Sequence, residues 1–412
     1  MNLNLNLGRR GGADVVGLDI QPGFVAAVKA RVNGSILAEE AASMPLPADT
    51  VRDGEVMDQD ALGDVLRELF ASSGLSKRVR VGVANQRTVL RTLELPPITD
   101  RKELAAAVGF QAQEQVPMPL SNAVLDFHPL GIVDTPAGPR QRVVLVAAQR
   151  DMVEKLLAAV RRAGLTPEGV DLSAFALIRS LYRADPEQSE QSGRVLYLNV
   201  DGLTNLAIAE GPICRFTRVV GSGLEGMAIE LAERRGIALV DARSLLSAVD
   251  LTAEPPAPEP VAAAAEEAPE ESAEDEPSEA VDDEATAPDA AEQGPAEDSM
   301  SYEEMVSVDD GSRAEVDAEV LSVIENGIRD ISGEVRNSLD FHRSQEGGGE
   351  VSYIVLSGSA QDIPGFASAL QASLGVEVQS AQVGLVDGQL SGAVSPRRLA
   401  VATGLAALEV HQ

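Results

Sequence analysis

Val15, Val16, Leu18 and Ile20 form a short, nearly continuous apolar run, which suits a strand covered on both faces. Gln21-Pro22-Gly23 follows with turn chemistry, since Pro presets one φ and Gly permits a positive one. Phe24 to Val28 begins a second strand, Asn33-Gly34 is a two-residue hairpin signal, and a third strand runs on to Ala42. The same layout recurs about 180 residues later: strand Arg194–Val200, turn Asp201–Thr204, strand Asn205–Glu210, turn Gly211-Pro212, strand Ile213–Val220. The two copies share layout rather than sequence.

Between and after these copies the period changes to that of helices. Leu62, Val65, Leu66 and Leu69 predict a helix over 58–73 with Gly74 as its stop. Arg78–Ala84 and Val89–Leu95 alternate as strands, and Pro96-Pro97 ends the second. Thr99 or Asp100 then caps a helix that Val116-Pro117-Met118-Pro119 breaks. Two strands, Val124–Leu130 and Arg142–Ala148, with a Pro/Gly loop between them, lead to a helix over 151–163 with Gly164 behind it. Residues 169–183 read as a strand edge and a helix, 224–234 and 241–249 as helices, and 318–342 as a long helix. The chain closes with a strand at 351–356, a helix from Ile363 to Leu374 and a helix over 398–408. Alternating strands and helices on this scale predict an α/β fold.

Charge changes this picture in one place. The formal net charge is −32, and Ala253–Met300 alone holds 17 Asp/Glu, eight Pro and no Lys or Arg. That composition predicts a disordered, self-repelling segment, assigned to 251–312. Such a chain repels phosphate backbones, which argues against nucleic-acid binding. The one cysteine, Cys214, excludes an intrachain disulfide and reads as a small buried hydrophobe, in keeping with a reducing cytoplasm. Three scattered histidines offer no zinc-type cluster. The start MNLNLNLGRRGG does not read as a signal peptide, and no apolar run is long enough to span a bilayer.

Candidate chemistry lies at the glycine-bearing turns that follow apolar strands, after Ile20, Val200 and Leu356. Two meanders of this kind predict a two-domain clamp whose hairpins aim backbone N–H groups at phosphates from opposite sides. Asp19, at a strand end, is either a solvated acid or a carboxylate holding Mg²⁺ through water. Gly221-Ser222-Gly223 opens a helix and is either an ordinary strand–helix turn or an anion-binding N-terminus.

The order GLDI, ELAAAVGFQAQEQVPMPLSNAVLDF, DLSAFAL, GSGLEG, EVRNSLDF and YIVLSGSAQDIPGF resembles the PilM family of type IV pilus assembly proteins, which is related in fold to the cell-division protein FtsA. The resemblance covers 13–410 apart from the acidic segment, and its most specific block is Glu103–Phe127. It implies an actin-like ATPase (ribonuclease-H-like) two-domain fold with an extra subdomain, 1C, that this family shares with FtsA. Subdomain 1A is expected at 13–97 with 166–192 and 396–412, and 1C at 98–165. Subdomain 2A is expected at 193–225 and 350–395, and 2B at 226–349. The resemblance also implies a cytoplasmic protein held at the inner face of the membrane through partners. Those partners are the N-terminal tail of a PilN-type membrane protein, captured between 1A and 1C, and the pilus motor ATPases; self-association is a further expectation. Groove candidates are Arg87, Arg91, Leu93, Val124, Asp126 and Phe127. The N-terminal Asn-Leu repeat itself resembles such a tail, although a frayed terminus is the simpler reading.

For ATP and Mg²⁺, the resemblance carries over onto Gly17, Asp19, Gln21, Asp201, Gly202, Asn205, Gly221, Ser222, Gly223, Gly358 and Ser359, with Asp19 as the metal-side carboxylate. The chain departs from the family at several of these positions. Gln21-Pro22 replaces two small residues and removes an N–H that would face phosphate. Asn199 stands where the family has Asp, and Asp201 stands where it has glycine. The ribose motif Ala-Glu-x-x-Lys becomes Ala242-Arg243-Ser244-Leu245-Leu246. Each loss costs on the order of 1–3 kcal/mol, enough together to remove micromolar affinity. The expectation is therefore a scaffold with weak or absent nucleotide binding and no assigned catalytic residue. The alternative is an ATP-binding actin-like switch that polymerises or releases partners with nucleotide state. A sugar kinase is a distant third, because neither a catalytic Asp nor a sugar pocket can be assigned.

Overall fold

The computed structural model describes residues 15–136, 138–183, 193–252, 318–345, 347–386 and 394–407. Contacts divide the chain into one unit of Met1–Ala253 with Asp317–Gln412 and another of Glu254–Val316. The second unit, with most of the expected acidic segment, lies outside the described residues, as does the Asn-Leu terminus.

In the first unit the chain opens with the expected meander, β1 (Val16–Gln21), β2 (Phe24–Val32) and β3 (Ile36–Pro45). Gln21 pairs with Phe24 across Pro22-Gly23, where Gly23 takes φ +88°. The second turn holds three residues rather than two, because Val32 pairs with Ile36. A small ladder, β4 (Val51–Arg52) and β5 (Glu55–Val56), precedes α1 (Gln59–Ser73). Asp58 caps α1 by accepting from the Asp60 and Ala61 N–H groups, and Gly74 closes it in the left-handed region. β6 (Arg78–Val83) and β7 (Val89–Leu95) lead to α2 (Arg101–Gln115), capped by Asp100.

The Pro/Gly loop expected between the next two strands is instead a long continuous hairpin, β8 (Ala123–Thr135) and β9 (Gly138–Gln149). Pro129 lies in an edge strand, beside a register shift, which are the places where a sheet tolerates proline. α3 (Arg150–Arg162), β10 (Thr166–Leu172) and α4 (Ser173–Leu181) follow. The second meander is β11 (Arg194–Val200), β12 (Thr204–Glu210) and β13 (Ile213–Val220), then α5 (Leu224–Arg235) and α6 (Leu239–Ala248). The remainder is α7 (Ala318–Ser344), β14 (Val351–Ser357), α8 (Phe366–Leu374), β15 (Val378–Ser380), β16 (Gly384–Leu385) and α9 (Ala400–Ala406). A short 3₁₀ turn at Pro396–Leu399 takes the start of the helix expected from 398.

The two main sheets share a plan. One has the order β10-β6-β1-β2-β3-β16 and the other β13-β12-β11-β14-β15. In each, an antiparallel meander continues into two parallel strands beyond its first strand, so the repeated sequence layout is a repeated sheet. α4 and α9 share one apolar cluster with side chains of both sheets, including Ala26, Val28, Tyr197, Ala207 and Val355. α9 has all seven residues buried, and its closeness depends on glycine. A Cβ on Gly17 would lie 1.8 Å from the Ala402 carbonyl oxygen, and one on Gly404 would lie 1.9 Å from that of Ala176. α7 supplies Val320, Val323, Ile324, Ile328, Ile331, Val335 and Leu339 to a second cluster under β11 and β14, as its spacing predicts.

A third sheet has the order β7-β9-β8. β7 pairs with β9 rather than with β6, and lies in the sheet covered by α2.

Candidate functional site

The hairpin turns of the two meanders meet. A Cβ on Gly202 would lie 2.1 Å from the Pro22 carbonyl oxygen, so only glycine lets the second turn seat against the first. On the other side of the first turn, a Cβ on Gly23 would lie 2.5 Å from Glu225 Oε2. Glu225, in the first turn of α5, is paired with Arg243 of α6, whose Nε donates to Glu225 Oε2 at 2.9 Å. Arg243 stands in the stretch that replaces the ribose motif.

Two buried carboxylates face each other across this junction. Asp19 and Asp201 are each 1% exposed. Asp201 has three donors: the Ser359 N–H at 2.7 Å, the Ser359 hydroxyl at 2.6 Å and the Asn199 amide at 2.9 Å. Asp19 has one, the Gln21 amide at 3.0 Å, and its Oδ2 is buried without a partner. Burial raises the Asp201 pKa, while the Ser359 bonds, the Arg398 charge and Asn199 act in the opposite direction. Asp19 is pushed up to about 7, first by burial and then by the Asp201 charge, with the Gln21 bond pulling the other way. The donors thus favour the charged form at Asp201 more than at Asp19.

The other nucleotide candidates separate into two groups. Gly223 and Gly358 belong to the junction: their Cβ positions would fall 2.5 Å from the Gly202 and 2.3 Å from the Val200 carbonyl oxygens. Ser222 accepts from the Thr204 hydroxyl through its carbonyl oxygen. Gly221 lies nearer Asp53 and Gln86. Asn205 lines a cavity of about 70 Å³ with Asn85, Gln86, Thr88 and Ala174. Its Oδ1 and the Thr88 hydroxyl are buried without partners. That volume suits a few waters rather than the roughly 300 Å³ or more of a small-molecule site. Gly17 is in neither group, because its surroundings are the backbone of α9.

The turn that would cradle phosphate presents the Pro22 carbonyl to Gly202, Pro22 has no N–H, and the Ser359 N–H is already committed to Asp201. Among the described residues no group of three His, Cys, Asp or Glu could hold a metal ion. Glu225, Asp53 and Arg398 escaped the sequence reading. Glu225 carried a usable signal as the first acidic residue of a helix behind a glycine turn; Arg398, which lies over the Phe24 ring at 4.7 Å, carried none. Cys214 is buried and its thiol is pushed up to about 12 by burial, as a packing residue would be.

The groove candidates do not share a surface. Strand register puts Arg91, Leu145 and Phe127 in one row and Leu93 with Val143 in the next, on the face packed by α2. Leu90, Val146 and Asp126 form a row on the opposite face, with Val124 and His128 on either side of Asp126. Leu90, Val144 and Val146 on that face belong to the same apolar cluster as Ala174, Leu177 and Leu181 of α4. β7 and β8, which carry most of the groove candidates, are the two edges of one sheet, with β9 between them. Arg87 precedes β7 and is held by Glu55 at 2.9 Å and Gln149 at 3.0 Å. Asp126 is half-buried: its Oδ1 accepts from the Phe127 N–H at 2.8 Å, and its Oδ2 is buried without a partner. Burial raises its pKa to about 6, the Phe127 bond and the Arg101 charge oppose this, and the Asp171 charge adds to it.

A family model described as type IV pilus assembly protein PilM matches residues 17–218. Among solved structures, a PilM-PilN type IV pilus biogenesis complex aligns with 96% of this chain and 98% of its own, at 21% identity and a TM-score of 0.67. Ethanolamine utilization protein EutJ from Carboxydothermus hydrogenoformans covers 97% of this chain and 91% of its own at 13% identity and 0.48. MreB 5 of Spiroplasma citri bound to AMPPNP covers 96% and 95% at 10% identity and 0.47. The fold is the actin-like ATPase fold. Among the described residues no helix is long and apolar enough to cross a membrane.

Proposed function

We propose, from the match of residues 17–218 to the PilM family model, that this chain is an actin-like scaffold of the pilus machinery rather than a nucleotide-driven switch. It captures the cytoplasmic N-terminal tail of a PilN-type inner-membrane protein beside the β7-β9-β8 sheet, and links that protein to the motor ATPases. Its place is the cytoplasmic face of the membrane, reached through partners. Subdomains 1A, 1C, 2A and 2B keep the expected ranges in this reading, except that β7 moves from 1A to 1C.

The observation that supports a scaffold over a switch is the closed junction. Gly202 abuts the Pro22 carbonyl, and the Asp201 carboxylate already holds the Ser359 N–H and hydroxyl. Charge recognition inside a protein is strong only when each buried charge is matched. A phosphate chain here would meet Asp201 and a carbonyl instead of free N–H groups. The same observation supports weak or absent Mg²⁺ binding at Asp19, whose one donor is the Gln21 amide of its own strand.

The experiment is isothermal titration of the full chain with Mg-ATP, alongside titration with a PilN-type tail peptide in the presence and absence of Mg-ATP. The expected result is peptide binding that does not depend on nucleotide and no micromolar heat from Mg-ATP. A micromolar affinity for Mg-ATP, with peptide affinity that shifts on its addition, would overturn the scaffold reading in favour of a switch.

A further inference from the structure

The outer edge of β8 is open: among the described residues no strand pairs with it on the side away from β9. Its regular part runs from Ala123 to His128, because Pro129 brings no N–H and the register shifts between Pro129 and Gly131. At about 3.3 Å per residue this is an edge of roughly 20 Å, enough for a short extended peptide.

Side chains alternate along that edge. Val124, Asp126 and His128 point to the face shared with α4, while Leu125 and Phe127 pack towards α2. Asp126 is therefore the central acid of the row that an adjoining peptide would meet. One of its oxygens is used locally, by the Phe127 N–H, and the other is shielded yet unpartnered. The neighbouring acid, Asp171, differs in this respect. Its Oδ2 is paired with Arg179 at 2.9 Å, and Arg179 also donates to the Gly404 carbonyl oxygen at 2.7 Å. Arg101, on α2, is near enough to bias Asp126. A buried oxygen of a half-buried carboxylate, left without a donor, calls for a cationic or strong donor group brought by a partner.

Resting on the peptide-capture reading above, we infer that the partner's extended tail lays a lysine or arginine side chain over Asp126 at the edge of β8. The chain's net charge of −32 favours approach of a basic segment, and a buried ion pair would fix its register. Arginine satisfies the site best, since one guanidinium can serve the free Oδ2 while keeping donors for a carbonyl of the same edge.

The test uses the full chain and a synthetic peptide of the N-terminal tail of the PilN-type membrane protein from the same cell, followed by fluorescence anisotropy. Each basic residue of the tail is replaced by Ala in turn, against wild type, Asp126→Asn and Asp126→Glu. One tail cation is expected to matter, its loss weakening binding to wild type by about 10- to 100-fold. Asp126→Asn should weaken the unmodified tail by a similar factor, and both changes together should cost little more than either alone. Asp126→Glu, which keeps the charge, should retain most of the affinity. Thermal melts of the two variants that match wild type exclude misfolding as the cause. If the tail binds wild type and Asp126→Asn equally well, or if no basic residue of the tail couples to Asp126, the assignment is wrong and peptide capture stands. If the tail does not bind wild type at all, peptide capture falls and the assignment falls with it.

Discussion

Replacing Asp19 by Asn should change how stability depends on pH, and the size of the effect follows from the junction. Asp19 is 1% exposed, faces the Asp201 charge and receives a single hydrogen bond. Its pKa is raised from 3.8 to about 7 in the folded protein, so the native state holds a proton that the unfolded chain releases above pH 4. A raised folded pKa contributes stability that is fully present below about pH 4 and is lost as pH rises through about 7. At about 1.4 kcal/mol per unit, a shift of about 3 units corresponds to about 4 kcal/mol across that window. Asn has no proton to lose. The Asp19→Asn variant should therefore gain on wild type as pH rises, by about 1.4 kcal/mol per unit between pH 4 and 7. For a fold of about 300 residues, 4 kcal/mol is a relative gain of roughly 6 °C in Tm by pH 8. The assay is thermal unfolding by circular dichroism from pH 4.5 to 8. Wild-type and variant profiles that run parallel across that range would refute a protonated Asp19, and with it the claim that the junction leaves this carboxyl without enough donors.

Other consequences follow from close packing and from buried charge. Gly17→Ala should cost at least about 3 kcal/mol, or prevent folding, because its Cβ would lie 1.8 Å from the Ala402 carbonyl oxygen. Gly109→Ala, within α2 and with nothing near its Cβ, should instead gain about 1 kcal/mol; denaturant melts of both variants check the contrast. Arg179→Met should destabilise by about 3 kcal/mol, since it strands the Asp171 carboxylate and the Gly404 carbonyl oxygen together. Adding Asp171→Asn should recover part of that loss, and urea midpoints would read both.

The local syntax of this chain determined a great deal. Turn residues at Pro22-Gly23, a cap at Thr99 or Asp100, and the 3.6-residue spacing of α7 are written in short windows where backbone chemistry acts alone. The repetition of strand–turn–strand–turn–strand was sufficient to expect two similar sheets, and the resemblance named their fold. Residue roles were less accessible, because they depend on partners distant in sequence. Gly17 read as a phosphate glycine and serves α9, which arrives some 385 residues later. Asp201 read as a misplaced charge, and its meaning comes from Ser359, 158 residues away. The groove candidates lay on two strands of similar pattern, yet a period of two sends adjacent residues to opposite faces. Only the register of β7 and β8 on β9 assigned Phe127 to the α2 side and Asp126 to the α4 side. Sequence alone therefore determined most of the longer elements, because propensity and turn chemistry are local. The tertiary structure decided which side chains share a space, because burial and charge compensation come from whatever the fold brings alongside.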